Sequence, residues 1–131
     1  MFKKLIALAL LALFSCEPAF AQTAIGQPVA LSQSAATEGT HVFKATGGVV
    51  YSLTVSNSST AGWLMLFNSA TAPADGTVAP VYCMYVPANQ SLRLPFDYPV
   101  ALSTGIAVAY SSTGCFTKTA SATAFFSAQI Q

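Results

Sequence analysis

Residues Val49 to Ser56 read VVYSLTVS, a period of two that places Tyr51, Leu53 and Val55 on one face and Ser52 and Thr54 on the other. A helix cannot use this spacing, because its side chains return to a given face about every 3.6 residues, whereas a strand lying half-buried on a core uses it directly. The same reading extends along the chain. Gly62 to Phe67 (GWLMLF) is continuously apolar and suits a central strand covered on both faces. Val81 to Val86 is a further strand bounded by Pro87. Ser91 to Leu94 alternates, and Pro95 and Pro99 keep the adjoining stretch irregular or at a sheet edge. Gly105 to Tyr110 and Ser121 to Ile130 supply the last two strands, the latter placing Ala122, Ala124, Phe126, Ala128 and Ile130 on one face. Between them, Ser69 to Pro80 (SATAPADGTVAP) has the Pro, Gly and Asp-Gly punctuation of a long surface loop.

No window after the first 22 residues keeps helical spacing together with caps. About six to eight short strands separated by turn signals predict an all-β chain, an antiparallel β-sandwich or a jelly-roll-like barrel. The segment 22–40, rich in Ala, Ser, Thr and Gln, reads as a flexible lead-in or an edge strand, and 41–131 as the single domain.

The first 21 residues follow a different logic. Lys3 and Lys4 precede a ten-residue apolar run from Leu5 to Phe14, and Ala19-Phe20-Ala21 supplies small residues at −3 and −1 of a cut before Gln22. That layout predicts a cleaved secretory signal helix, residues 1–21, and an exported product. A competing site, Leu13-Phe14-Ser15-Cys16, looks like a lipobox whose Cys16 would be acylated, although Phe14 stands where such a box wants a small residue. No later segment approaches the roughly 20 apolar residues of a transmembrane helix. Removing 21 of the 131 residues leaves 110, enough for one core.

Cleavage there also removes Cys16 and leaves Cys83 and Cys115 as an even pair. In an oxidising compartment the first reading is a disulfide, and two buried thiols are the alternative. Two cysteines without C-x-x-C spacing, with the one distant His41, do not make a zinc site.

Charge is scarce. After residue 21 only Lys44, Arg93 and Lys118 stand against Glu38, Asp75 and Asp97, so the formal balance is zero and the basic footprint of a nucleic-acid binder is missing. Acid–base chemistry has a thin inventory: three carboxylates and one histidine. A Ser-His-Asp set would need His41 with Asp75 or Asp97, and no G-x-S-x-G elbow marks a nucleophile. A glycosidase pair would need Glu38 with Asp75 or Asp97, all in turn-like surroundings. Glu38 and His41, three residues apart, fall on a loop around Gly39. No catalytic, metal or cofactor site is therefore assigned. Among the aromatics Trp63, Tyr51, Tyr82, Tyr85, Tyr98 and Tyr110, most sit on strand positions that alternate inward. Tyr98, between prolines, is the candidate for stacking on a ligand. Asn57-Ser58-Ser59 and Asn89-Gln90-Ser91 match the glycosylation sequon, a pattern common in Asn- and Ser-rich chains.

The chain carries, in order, the segments TGGVVYSL (Thr46 to Leu53), AGWLMLF (Ala61 to Phe67), APADGT (Ala72 to Thr77), Val86-Pro87-Ala88, LSTGI (Leu102 to Ile106) and STGCFTK (Ser112 to Lys118). That order resembles a group of small β-sandwich proteins of tailed phages and prophages associated with virion surfaces. The resemblance implies a structural surface domain present in repeated copies, with no catalytic residue. The export signal is a departure from that pattern. The expectation is a non-enzymatic exported structural or surface domain, self-associating or docking on a larger assembly, with a secreted carbohydrate-binding or adhesive module as the alternative.

Overall fold

A computed structural model describes residues Val29–Gln131; the signal helix expected over 1–21 lies outside the described residues. The alternating segments become strands: β1 (Ala30–Gln33), β2 (Thr40–Lys44), β3 (Gly48–Asn57), β4 (Gly62–Asn68), β5 (Gly76–Thr77), β6 (Tyr82–Val86), β7 (Ser91–Leu102), β8 (Ile106–Ser111), β9 (Thr117–Lys118) and β10 (Ala124–Ile130). All pairings are antiparallel. One four-stranded sheet runs β1-β10-β3-β7 and a second runs β2-β8-β4-β6, with β5 and β9 forming a two-stranded ribbon. The chain is all-β.

Both large sheets feed one core. Val50, Leu53, Val55, Ala124, Phe126, Ala128 and Ile130 come from the first sheet, and Leu64, Leu66, Val86, Ile106, Val108 and Tyr110 from the second. The expected alternation of β10 holds through this stretch, with Ala124, Phe126, Ala128 and Ile130 buried. The chain passes between sheets at Ser34. Its backbone N–H donates to Phe126 O (2.9 Å) while its hydroxyl oxygen accepts from Phe126 N (2.9 Å), so a serine completes the ladder where β1 ends.

Two sequence expectations change. Tyr51 leaves the core face that simple alternation predicts for it, because pairing with both neighbours slips between Val50 and Ser52. An extra residue at such a bulge reverses the parity of everything before it. Val50 therefore joins Leu53 and Val55 in the core, and Tyr51 donates its hydroxyl to Gln131 Oε1 instead (2.7 Å). The second change lies in Ser69 to Pro80, where Gly76 and Thr77 pair with Lys118 and Thr117 rather than staying loop. Gly76 has φ +124°, a conformation open to glycine and strained for side-chain-bearing residues, and it turns the chain into that ribbon. The ribbon and its flanks cover the outer face of the second sheet. There Met65, Phe67, Ala107 and Ala109 form a smaller core with Val42, Val78 and Cys83. The double cover expected for β4 has this origin.

At one end of the molecule Asn57 closes β3. Its Nδ2 donates to Thr60 O (2.6 Å), to Pro87 O (3.2 Å) and to the Tyr110 hydroxyl (2.8 Å), while its Oδ1 accepts from Ser59 N (3.1 Å). Tyr110 in turn donates to Thr60 O (2.8 Å). Burial pushes the Tyr110 phenol above its ordinary 10.0, and the Asn57 hydrogen bond opposes part of that rise. Gly62 is required beside this knot, since a Cβ there would sit 2.4 Å from Ser111 O and 2.9 Å from the Tyr110 ring. Asn57 is 5% exposed, so its amide is engaged internally rather than presented as a sequon.

Asn57→Ala strips the amide from four partners at once, the buried Tyr110 hydroxyl among them, and is expected to destabilise the domain by about 2–3 kcal/mol, whereas Tyr110→Phe leaves Thr60 O its second donor and should cost about 1 kcal/mol. Urea unfolding of both variants tests this; an equal or reversed order would show that Asn57 does not organise the knot.

Candidate functional site

The sequence-nominated polar groups are brought together only in part. Glu38 is fixed by its backbone N–H, which donates to Ala124 O (2.7 Å), and its Oε1 lies 2.7 Å from Nδ1 of His41 at the start of β2. Asp75 goes elsewhere. Its carboxylate accepts from the ammonium of Lys118 on β9 and from Ala120 N (3.2 Å). The Lys118 hydrogen bond, then the Ala120 N–H, hold the Asp75 carboxyl below the ordinary 3.8. Lys118 is 3% exposed, so the pair fastens the ribbon rather than offering a free acid. Asp97 lies on the edge strand of the other sheet. Among the described residues no cluster of three or more His, Cys, Asp or Glu side chains forms a metal site.

Cys83 on β6 and Cys115 before β9 form a disulfide with Cα atoms 5.8 Å apart. It ties the covering loops to the second sheet beside Met65 and Phe67. Tyr98 is 88% exposed. It sits where four residues of β7, Phe96 to Pro99, stand opposite the single Tyr51 of β3, since Pro95 pairs with Ser52 and Val100 with Val50. The two prolines remove ladder donors and push this stretch outward. Phe96 turns back to meet Tyr82 edge-on at 5.7 Å, leaving Tyr98 the projecting ring of the bulge. On the second sheet Tyr85 is half-exposed and meets Trp63 edge-on at 5.4 Å.

A concave site lies on the outer face of the first sheet, a depression of about 200 Å³. Its floor and walls follow from register. Ser127, Thr54 and Arg93 stand in one row across β10, β3 and β7, and Leu31, Gln129 and Ser52 in the next across β1, β10 and β3. Short hydroxyl side chains occupy the central strands, while longer Leu31 and Arg93 rise from the two edge strands, so a flat sheet acquires a groove. Gln129 Oε1 accepts from Ser52 Oγ (3.1 Å) and from Arg93 Nη2 (3.3 Å). With its carbonyl occupied twice, the amide N–H groups of Gln129 are left to a ligand. The lining is rich in donors and contains no carboxylate.

Sequence reasoning does not single out Arg93 and Gln129. The signal is present in two alternating strands, each with a polar face, but nothing local says that β3 lies between β7 and β10.

Because the Asp75 carboxyl is held below 3.8, its contribution is complete above that value and is lost as pH falls through the lower folded-state value. Asp75→Asn is therefore expected to lower the urea midpoint at pH 7, with the gap to the native chain narrowing at about pH 2.5. A gap of the same size at both pH values would remove the ion pair as its cause.

A scan against protein-family models finds no match to this chain, and neither a curated protein nor a solved structure matches it.

Proposed function

We propose that the chain is an exported, non-catalytic structural or surface domain. The observation that carries this reading is the Cys83–Cys115 disulfide, which closes the loops over the second sheet. Such a bond persists in oxidising compartments, and closing a loop of this length contributes about 3–4 kcal/mol in the chain-entropy account. The Lys-Lys, apolar-run and Ala-Phe-Ala order of residues 3–21 supports export with cleavage before Gln22. Among the described residues no helix is long and apolar enough to cross a membrane. The non-catalytic part is supported by where the acids go, Asp75 into a fastening ion pair and Glu38 onto His41. Resemblance to virion-surface proteins of tailed phages supports a repeated structural copy within this class. The scarcity of charge supports packing against copies of itself or another surface.

A second reading, an adhesive or carbohydrate-binding module, is favoured by the donor-lined groove on the first sheet. It is compatible with the first, since a surface domain can carry a binding face.

Intact mass and non-reducing peptide mapping of the secreted product are expected to give an N-terminus at Gln22 and a Cys83–Cys115 cross-linked peptide. Reduction should lower the unfolding midpoint. Retention of Met1 in the cell, or two freely alkylated thiols in the exported chain, would overturn the reading, and a lipid on Cys16 would move it to a membrane-anchored form.

A further inference from the structure

We propose that the groove on the first sheet binds a sugar residue bearing a single carboxylate, a uronate unit of an acidic polysaccharide. This deepens the adhesive reading and rests on it. Three observations select the ligand class.

The first is charge. Arg93 is exposed and forms no ion pair among the described residues, and its side chain donates to the neutral Gln129. Gln129 holds one Nη2 in place over the sheet and leaves the rest of the guanidinium fork for a planar, singly charged anion. One cation among neutral groups matches a carboxylate better than a phosphate dianion.

The second is the remaining chemistry. The Thr54 and Ser127 hydroxyls line the groove and make no side-chain hydrogen bond to another described residue, and the Gln129 amide keeps its donors. Hydroxyls that both donate and accept, beside a fixed amide, suit the vicinal hydroxyls of a pyranose. A fatty acid would leave them unpaired.

The third is size and openness. Sites for drug-sized ligands hold roughly 300–1,000 Å³. About 200 Å³ on an open sheet face takes one ring and leaves the neighbouring units of a chain in solvent. Leu31, 67% exposed at the β1 edge, supplies an apolar wall for the ring face.

The test uses the exported chain with its disulfide intact, titrated with trigalacturonate, with neutral trigalactose and with inorganic phosphate, and followed by the backbone amide signals of the groove positions 54, 127 and 129, which every variant below retains. Trigalacturonate is expected to shift those signals saturably, and added salt to weaken the effect. Arg93→Ala should weaken binding about tenfold or more, as for loss of a charge-assisted hydrogen bond. Arg93→Lys should retain part of it, and Gln129→Glu, which places a carboxylate in the groove, should abolish it. Equal binding of the neutral trisaccharide would keep the adhesive reading and overturn the acidic class. Displacement by equimolar phosphate would reduce the groove to an anion site and overturn the sugar. Unchanged affinity in Arg93→Ala, or no shift with any sugar, would overturn the proposal while leaving the exported surface domain standing, because export and the disulfide are read by mass.

Discussion

The hydrogen-bond knot around Asn57 and Tyr110 is the constraint on which the two-sheet arrangement depends. Asn57 ends a strand of the first sheet, Tyr110 belongs to the second, and Thr60 and Pro87 lie on the two turns by which the chain crosses between sheets there. Apolar burial alone would hold the sheets together without fixing their relative position, since it is non-directional. The knot supplies direction. Asn57 and Tyr110 are buried and partnered, so displacing one sheet along the other would orphan the polar atoms of both side chains, each worth about 1–3 kcal/mol. Asn89, with φ +55°, makes the tight reversal that returns the chain from β6 to β7 just beyond this point, a conformation asparagine tolerates better than most residues.

Away from the knot the two sheets have different fates. The outer face of the second is covered by loops that the disulfide and the Asp75–Lys118 pair fasten from two sides, giving β4 apolar neighbours on both faces. The outer face of the first has no such cover among the described residues, and its groove is lined by hydroxyls, the Gln129 amide and Arg93, with Leu31 as an apolar wall at one edge. The elements that add rigidity are thus concentrated on one face, and the groups able to engage a ligand collect on the other. This division places the candidate site on the sheet that does not carry the disulfide, with no carboxylate in its lining.

Much of this architecture is legible in the sequence, and the reasons it stops are physical. Alternation in Ser52 to Ser56 and in Ala124 to Ile130 reports burial directly, because each side chain faces either core or solvent. Proline at 95 and 99 announces an edge, and β7 is one. The bulge at Tyr51 is invisible because one inserted residue leaves no local mark; it exists only relative to partner strands. The groove is invisible for the same reason. Ser127, Thr54 and Arg93 are neighbours only once the order β10-β3-β7 is known, and Arg93 is 39 positions in sequence from Thr54. The cysteine pair, by contrast, needs no register, since the count and the compartment suffice to nominate it.

Scarce charge poses a problem that the strand edges answer in another way. Edge strands expose unpaired backbone groups, and lysine is a common deterrent to their pairing with other chains. Here β1 has four residues and is followed directly by Ser34, whose side chain takes over the ladder. At the opposite edge, β7 carries two prolines and the outward bulge that bears Tyr98. On the second sheet β6 has five residues and is tethered by the disulfide. Short length, proline and a covalent tether thus blunt these edges with few charges. Association between copies would then be directed to the faces, where a hydroxyl-rich surface with few charges permits close approach, rather than to open-ended strand addition at the edges.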